Sequence, residues 1–243
     1  MRIMVYVPAG NFIMGAANDD PDADPHEKPE HAVYVDAFWI DQTEVTNAEY
    51  RRCVEAGICQ APLKCDFGAP TYNDESKTDH PVVCVNWYEA KTYCQWVGGQ
   101  LPTEAQWEKA ARGTAGQRYP WGDTIDCSRG NFRGCGEDMQ TAPVGSYPSG
   151  SSPYGALDMA GNVWEWVNDW LGWDYYDHSP YKNPAGPAGG DMRAVRGGSY
   201  RYGAKYMRAA TRHCAPPEHR ANPLGVRCVV PDGPMAESRP DDQ

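Results

Sequence analysis

The chain has only 4 phenylalanines in 243 residues, and no apolar run approaches the ~20 residues that a membrane-spanning helix needs. Excess basic charge is missing as well: 22 Lys and Arg against 33 Asp and Glu give a formal net charge of −11. A nucleic-acid surface requires a basic stripe, so that class of partner is excluded. Solubility, cation binding and basic partners are all compatible with the balance. CxxC spacing is absent, which excludes a zinc site of thiolates. No signal peptide is visible in this chain, because MRIMVYVPAGNFIMG runs straight into domain sequence.

What is present points to a loop-rich fold. The 25 Gly and 21 Pro punctuate the chain too often for long helices, while 9 Trp and 15 Tyr supply aromatic packing. These features predict an α+β domain and not a bundle or a doubly wound sheet. Nine cysteines without metal spacing predict disulfides and an extracellular or periplasmic location. An odd count leaves at least one thiol over.

Residues 3–14 read as two strands joined in a hairpin by a Pro-Ala-Gly-Asn turn. The acidic loop 18–31 carries Asp20, Asp22 and Asp24 at calcium-loop spacing, but Pro25 stands where the turn needs glycine. It reads as a solvated loop. Residues 32–45 alternate at period two and predict one strand. Three capping boxes follow: Thr46 with Glu49, Asn86 with Glu89, and Thr103 with Gln106. They predict helices running to about Gly57, through Trp96 and to Gly113. PVVCVNW (81–87) predicts a short buried strand. Residues 195–202 and 224–230 look like closing strands, and 233–243 reads as a disordered polar tail beyond a domain spanning 1–232.

The densest stretch is YGALDMAGNVWEWVNDW (154–170), which sets three tryptophans beside Asp158, Asn162, Glu165 and Asp169. Carboxylates in an apolar run are costly to bury without a positive partner. A hard cation is one solution. Arginine or backbone N–H groups are the other.

VPAGNFIMG, VYVDAFWIDQTEVTNAEY, LPTEAQWEKAARG, YPWGD, TAPVGSYP, GNVWEW, RGGSY and NPLGVRC occur in the order that characterises the formylglycine-generating enzyme, or sulfatase-modifying factor, family. The chain resembles that family over roughly residues 5–230. The resemblance implies a compact domain of low regular content, related to C-type lectins.

In the catalytic members, the resemblance implies, a cysteine pair just after RGGS binds copper and activates O₂. Here no cysteine lies between Tyr200 and His213, the segment is about three residues shorter, and Cys214 stands alone. No copper is therefore expected, since a soft Cu(I) site of two thiolates needs two thiolates. A second branch uses an iron-binding HxxxHxE motif, and none of the six histidines has that spacing.

The resemblance further implies structural calcium. One site would use the side chains of Asp158 and Glu165 with the carbonyls of Gly161 and Val163. The other would use the side chains of Asn131 and Asp138 with the carbonyls of Phe132 and Gln140. It implies a Cys94–Cys228 disulfide, and it places a second family bridge at Ala111 and Ala209, where both cysteines are missing. Cys127 and Cys135 flank a tight turn and form a third candidate pair. Cys53, Cys59, Cys65 and Cys84 could supply two bridges, which leaves Cys214 over.

The groove that holds a substrate peptide in the enzymes would here be rebuilt with Tyr200, Arg201, Tyr202, Tyr206 and Arg208, residue types common at recognition sites. Three functions follow as expectations. One is a non-catalytic module binding a peptide, glycan or protein. Another is an oxidoreductase or other enzyme of unknown reaction in the old pocket, with His213 or His219 as base. The third is an accessory domain of an exported assembly.

Overall fold

The computed structural model describes residues 2–135 and 139–233. Asp138, and the tail beyond Gly233, lie outside them. Three short helices form where the capping boxes stand. They are α1 (Asn47–Glu55), α2 (Trp87–Trp96) and α3 (Glu104–Arg112), and each box is complete, side chain to N3 backbone and N3 side chain back to the cap. Such a cap satisfies two of the orphan N–H groups of a first turn and stabilises by about 1 kcal/mol.

Nine strands make three small sheets. β1 (Met4–Val7), β4 (Phe38–Asp41) and β9 (Val229–Pro231) form one, in the order β1-β4-β9. β2 (Gly10–Met14) pairs with β3 (His31–Val35) in the second. The third runs β7-β6-β5-β8, from β5 (Trp164–Trp170), β6 (Arg193–Arg196), β7 (His213–Ala215) and β8 (Leu224–Gly225).

Several strand expectations are corrected. The stretch 3–14 is not a hairpin: β1 pairs with β4, and β2 with β3. Pro8 lacks a donor and Gly10 turns the chain at φ 147°, so the two strands enter different sheets. The alternating run 32–45 is likewise split into β3 and β4, which face different partners. Residues 81–87 form no strand, because Cys84 sits at φ 63° and only Pro81 makes an isolated bridge, to Thr46. β6 ends at Arg196, where Gly197 and Gly198 both take positive φ.

The interior is aromatic and ionic together. One cluster gathers Val7, Phe38, Ile40, Trp107 and Met159; a second gathers Tyr50, Trp87, Tyr93, Trp164 and Trp166. Between them α3 is buried on nearly every side, including Glu104, Glu108 and Lys109. Their charges are matched. Arg212 bonds Glu104 through Nε at 2.9 Å and Nη2 at 2.6 Å, while Arg112 and Arg196 both bond Glu108. Lys109 Nζ donates to the carbonyls of Pro8 (2.6 Å) and Gly10 (2.9 Å).

Eight cysteines are bonded: Cys53–Cys59, Cys65–Cys84, Cys94–Cys228 and Cys127–Cys135. Cys214 is free and half-buried. At the place of the missing family bridge, Ala111 and Ala209 are both fully buried in the first cluster, so packing replaces the bond there. No helix among the described residues is long and apolar enough to cross a membrane.

Candidate functional site: a rebuilt groove over a buried carboxylate cluster

β5 carries the tryptophan-rich stretch into the centre of its sheet. The side chain of Trp166 donates to the Val85 carbonyl (3.0 Å), and that of Trp87 to the Val167 carbonyl (2.8 Å). Glu165, between them in sequence and fully buried, meets a different environment. Its Oε1 accepts from Arg227 Nη2 (2.8 Å) and Nε (3.1 Å); its Oε2 accepts from Arg227 Nε (2.9 Å) and Trp107 Nε1 (2.6 Å). Three N–H groups thus meet the carboxylate, the single Nε hydrogen of Arg227 being shared by both oxygens. Arg227 and Trp107 are the partners of Glu165 in this structure.

Asp158 lies at φ 59° where the chain enters this stretch, and its Oδ2 accepts from the Gly145 N–H at 2.6 Å. Facing it is Glu44, which no motif or spacing singles out. Glu44 is 1% exposed, and neither of its oxygens has a hydrogen-bond partner among the described residues. Burial pushes the Glu44 carboxyl well above the usual carboxylate range, and the neighbouring Asp158 pushes it further. Burial also raises Asp158. Two facing buried carboxyls need a shared proton or a cation. A divalent cation therefore fits Glu44 and Asp158 better than the implied pair of Asp158 and Glu165. Among the described residues no three acidic, histidine or cysteine side chains form a metal-ligand cluster. The rest of such a shell would come from backbone carbonyls and from water.

The second implied site is drawn together without forming an obvious cradle. Gly161, at φ 102°, lets the chain pass so close to Asn131 that a Cβ there would lie 2.4 Å from the Asn131 carbonyl oxygen. Asn131 Nδ2 then donates to the Gln140 carbonyl (2.9 Å) and to Asn162 Oδ1 (3.2 Å). The amide nitrogen, not the oxygen, faces the carbonyl that a cation would need. Phe132 lines the same cavity of about 400 Å³ beside Asn131 and Gln140.

The groove opens after β6. A cavity of about 680 Å³ is lined by Phe67, Arg133, Met139, Arg201, Tyr202, Tyr206, His219, Ala221 and Pro223. Tyr202 and Tyr206 meet edge to face at 5.0 Å, and both pack on Trp164 below, whose indole N–H has no acceptor among the described residues. Arg201 Nε donates to the Tyr200 hydroxyl (3.0 Å), and its guanidinium lies over the Phe67 ring at 5.0 Å. Three of the five expected groove residues thus line one wall.

Tyr200 and Arg208 do not line it. Tyr200 is 2% exposed, its hydroxyl bonded to Asn222, and it borders the neighbouring cavity instead. Arg208 is buried and bonded to Glu27 (2.7 and 3.1 Å) and to the Asp22 carbonyl (3.0 Å). It anchors the acidic loop, which is pinned rather than solvated; Arg118 holds Asp20 in the same loop at 2.9 Å. His219, which lacks a sequence-local partner, stands at the groove rim with Nδ1 3.4 Å from an Asp66 carboxylate oxygen. His213 is exposed and its ring nitrogen meets its own neighbour's backbone.

The family model for the sulfatase-modifying factor enzyme 1-like domain matches residues 1–231. The chain belongs to the sulfatase-modifying factor family. It is 36% identical to the formylglycine-generating enzyme of Streptomyces coelicolor over 282 residues, covering 94% of this chain and 89% of that protein. It is 37% identical to the serine/threonine-protein kinase pkn1 of Chlamydia caviae over 242 residues, but spans only 37% of that kinase's length. PvdO from Pseudomonas aeruginosa has the same fold, with a TM-score of 0.81 at 28% identity over 94% of each chain. Membership agrees with the α+β, formylglycine-generating-enzyme-like architecture. It leaves the chemistry to be argued from this chain's own sulfur atoms and groove.

Proposed function

We propose that the chain is a non-catalytic binding module of the sulfatase-modifying factor family, acting outside the cytosol and taking a peptide, glycan or protein ligand in the groove of Arg201, Tyr202 and Tyr206. One observation carries this reading. Eight of the nine cysteines are spent in four disulfides, and the ninth, Cys214, has no free thiol to pair with. Burial raises its pKa, which disfavours the thiolate that a metal would need. The pocket wall remains, while the sulfur pair that the resemblance implies for the enzymes cannot be assembled on it.

The four disulfides support an extracellular or periplasmic setting. Calcium, held by Glu44 and Asp158 with backbone carbonyls, would serve durability: it offsets the repulsion of two buried acids and supplies no chemistry to the groove.

The test is a screen of peptide and glycan ligands by thermal shift. A ligand at 100 times its Kd raises stability by about 2.7 kcal/mol. The expected result is a shift that disappears in the Tyr202→Ala, Tyr206→Ala double variant. A broad screen without any shift counts against the reading.

A second reading, an enzyme of different reaction, is favoured by the His219–Asp66 pair at the rim, since a carboxylate that orients a histidine is a common base arrangement. O₂ uptake with thiol peptides that is lost in His219→Ala would turn the account toward it.

A further inference from the structure

The net charge of −11 suggests a basic partner, but the groove is inverted in sign. Nine of the described arginines form ion pairs: Arg2, Arg112, Arg118, Arg129, Arg196, Arg208, Arg212, Arg220 and Arg227. Arg51, Arg52, Arg133, Arg193 and Arg201 do not, and of these Arg133 and Arg201 line the groove together. In a chain with 33 acids against 22 bases, two guanidinium groups without an ion pair thus share one cavity. No acidic side chain lines that cavity among the described residues; Asp66 meets His219 at its rim.

Geometry favours a planar anion. Arg201 is held by its Nε bond to Tyr200 and by stacking over Phe67, and among the described residues no hydrogen bond occupies its two terminal nitrogens. That leaves a preformed fork, the arrangement that binds carboxylates bidentately. Arg133 is fixed at the backbone by its N–H to the Tyr202 carbonyl (3.0 Å), while its side chain is exposed. Phe67 and Met139, 53% and 52% exposed, and the tyrosine pair offer apolar surface in the same cavity.

We propose that the groove selects a peptide bearing an acidic side chain next to an apolar one, the carboxylate held between Arg133 and Arg201 and the apolar neighbour laid on Tyr202 and Tyr206. The proposal rests on the binding-module reading and sharpens its ligand. A displayed library of random seven-residue peptides, panned on the full chain, tests it. The strongest synthetic binder is then measured by calorimetry beside its Asp→Asn or Glu→Gln analogue and a Lys analogue.

The expected result is enrichment of Asp or Glu beside an aromatic or aliphatic residue. The neutral analogue binds tenfold or more weakly, the Lys analogue more weakly still, and affinity falls with salt. Arg133→Gln weakens binding about tenfold, and Arg201→Gln does so while Arg201→Lys retains part of it. Arg133 is exposed, so its variant keeps the fold and the comparison stays interpretable. Binders without acid enrichment, unaffected by the arginine variants but lost in Tyr202→Ala, Tyr206→Ala, overturn the anionic proposal and leave the groove reading standing. Peptides that enrich no better than on the tyrosine variant overturn both.

Discussion

Arg227 occupies the carboxylate of Glu165 through three hydrogen bonds of 2.8 to 3.1 Å, both side chains being fully buried, and reaches past it to the carbonyls of Asp41 and Leu157, each at 2.8 Å. This pair ties β5 to the approach of β9 and to the end of β4. Removing one member of a buried pair strands the other charge, at about 3–5 kcal/mol. Arg227→Met is expected to lower stability by that amount in urea denaturation. Adding Glu165→Gln to it recovers part of the loss. A loss below about 1 kcal/mol for the single variant contradicts the assignment.

Glu44 and Asp158 predict a pH dependence of the opposite kind. Both carboxyls are raised in the folded chain by burial, and Glu44 also by its neighbour. A raised folded pKa means the native state holds protons that the unfolded state has released. In calcium-free protein, the contribution of this pair to stability is therefore fully present below the ordinary carboxylate pKa of ~4 and is lost as pH rises through the raised values. Calcium bound at the proposed site would reverse this at neutral pH. Chelation is expected to lower Tm more at pH 7 than at pH 5, and Glu44→Gln to stabilise the calcium-free protein while abolishing the response. An unchanged calcium response in Glu44→Gln removes the proposed ligand.

The disulfides differ in the loops they close. Cys94–Cys228 spans a sequence separation of 134, and Cys127–Cys135 only 8. In the chain-entropy model these stabilise by about 5 and about 2.5 kcal/mol. Paired Cys→Ala variants, measured by denaturation, are expected in that order. Equal losses would show that native packing and not loop closure sets their value.

Thr103→Ala should cost about 1 kcal/mol, because Thr103 Oγ1 accepts from the Gln106 N–H at 3.2 Å and Gln106 returns a bond of 2.9 Å. Thermal unfolding checks it, and no change would mean that α3 is held by its buried ion pairs alone.

What could be read from the sequence follows from how local each signal is. The helices were legible because a capping box lies within four residues. The strands were not: the alternation of 32–45 passes unbroken over the point where β3 leaves one sheet and β4 joins another, since period two records faces and not partners. Arg208 has the chemistry of a groove anchor, yet Glu27, 181 residues away, claims it. Glu165 reads as a cation ligand in the sequence, and its partner Arg227 stands 62 residues further on. Glu44 shows the converse, an unremarkable glutamate before helix α1 whose significance is the missing partner. His219 gains Asp66 only in three dimensions.

Metal analysis of the purified full chain tests the central claim most directly. The account predicts calcium at about one ion per chain, removed by chelation with a fall in Tm, and no copper retained after dialysis from a Cu(I)-loaded sample. Stoichiometric copper that survives dialysis and supports O₂ uptake with thiol peptides would contradict it.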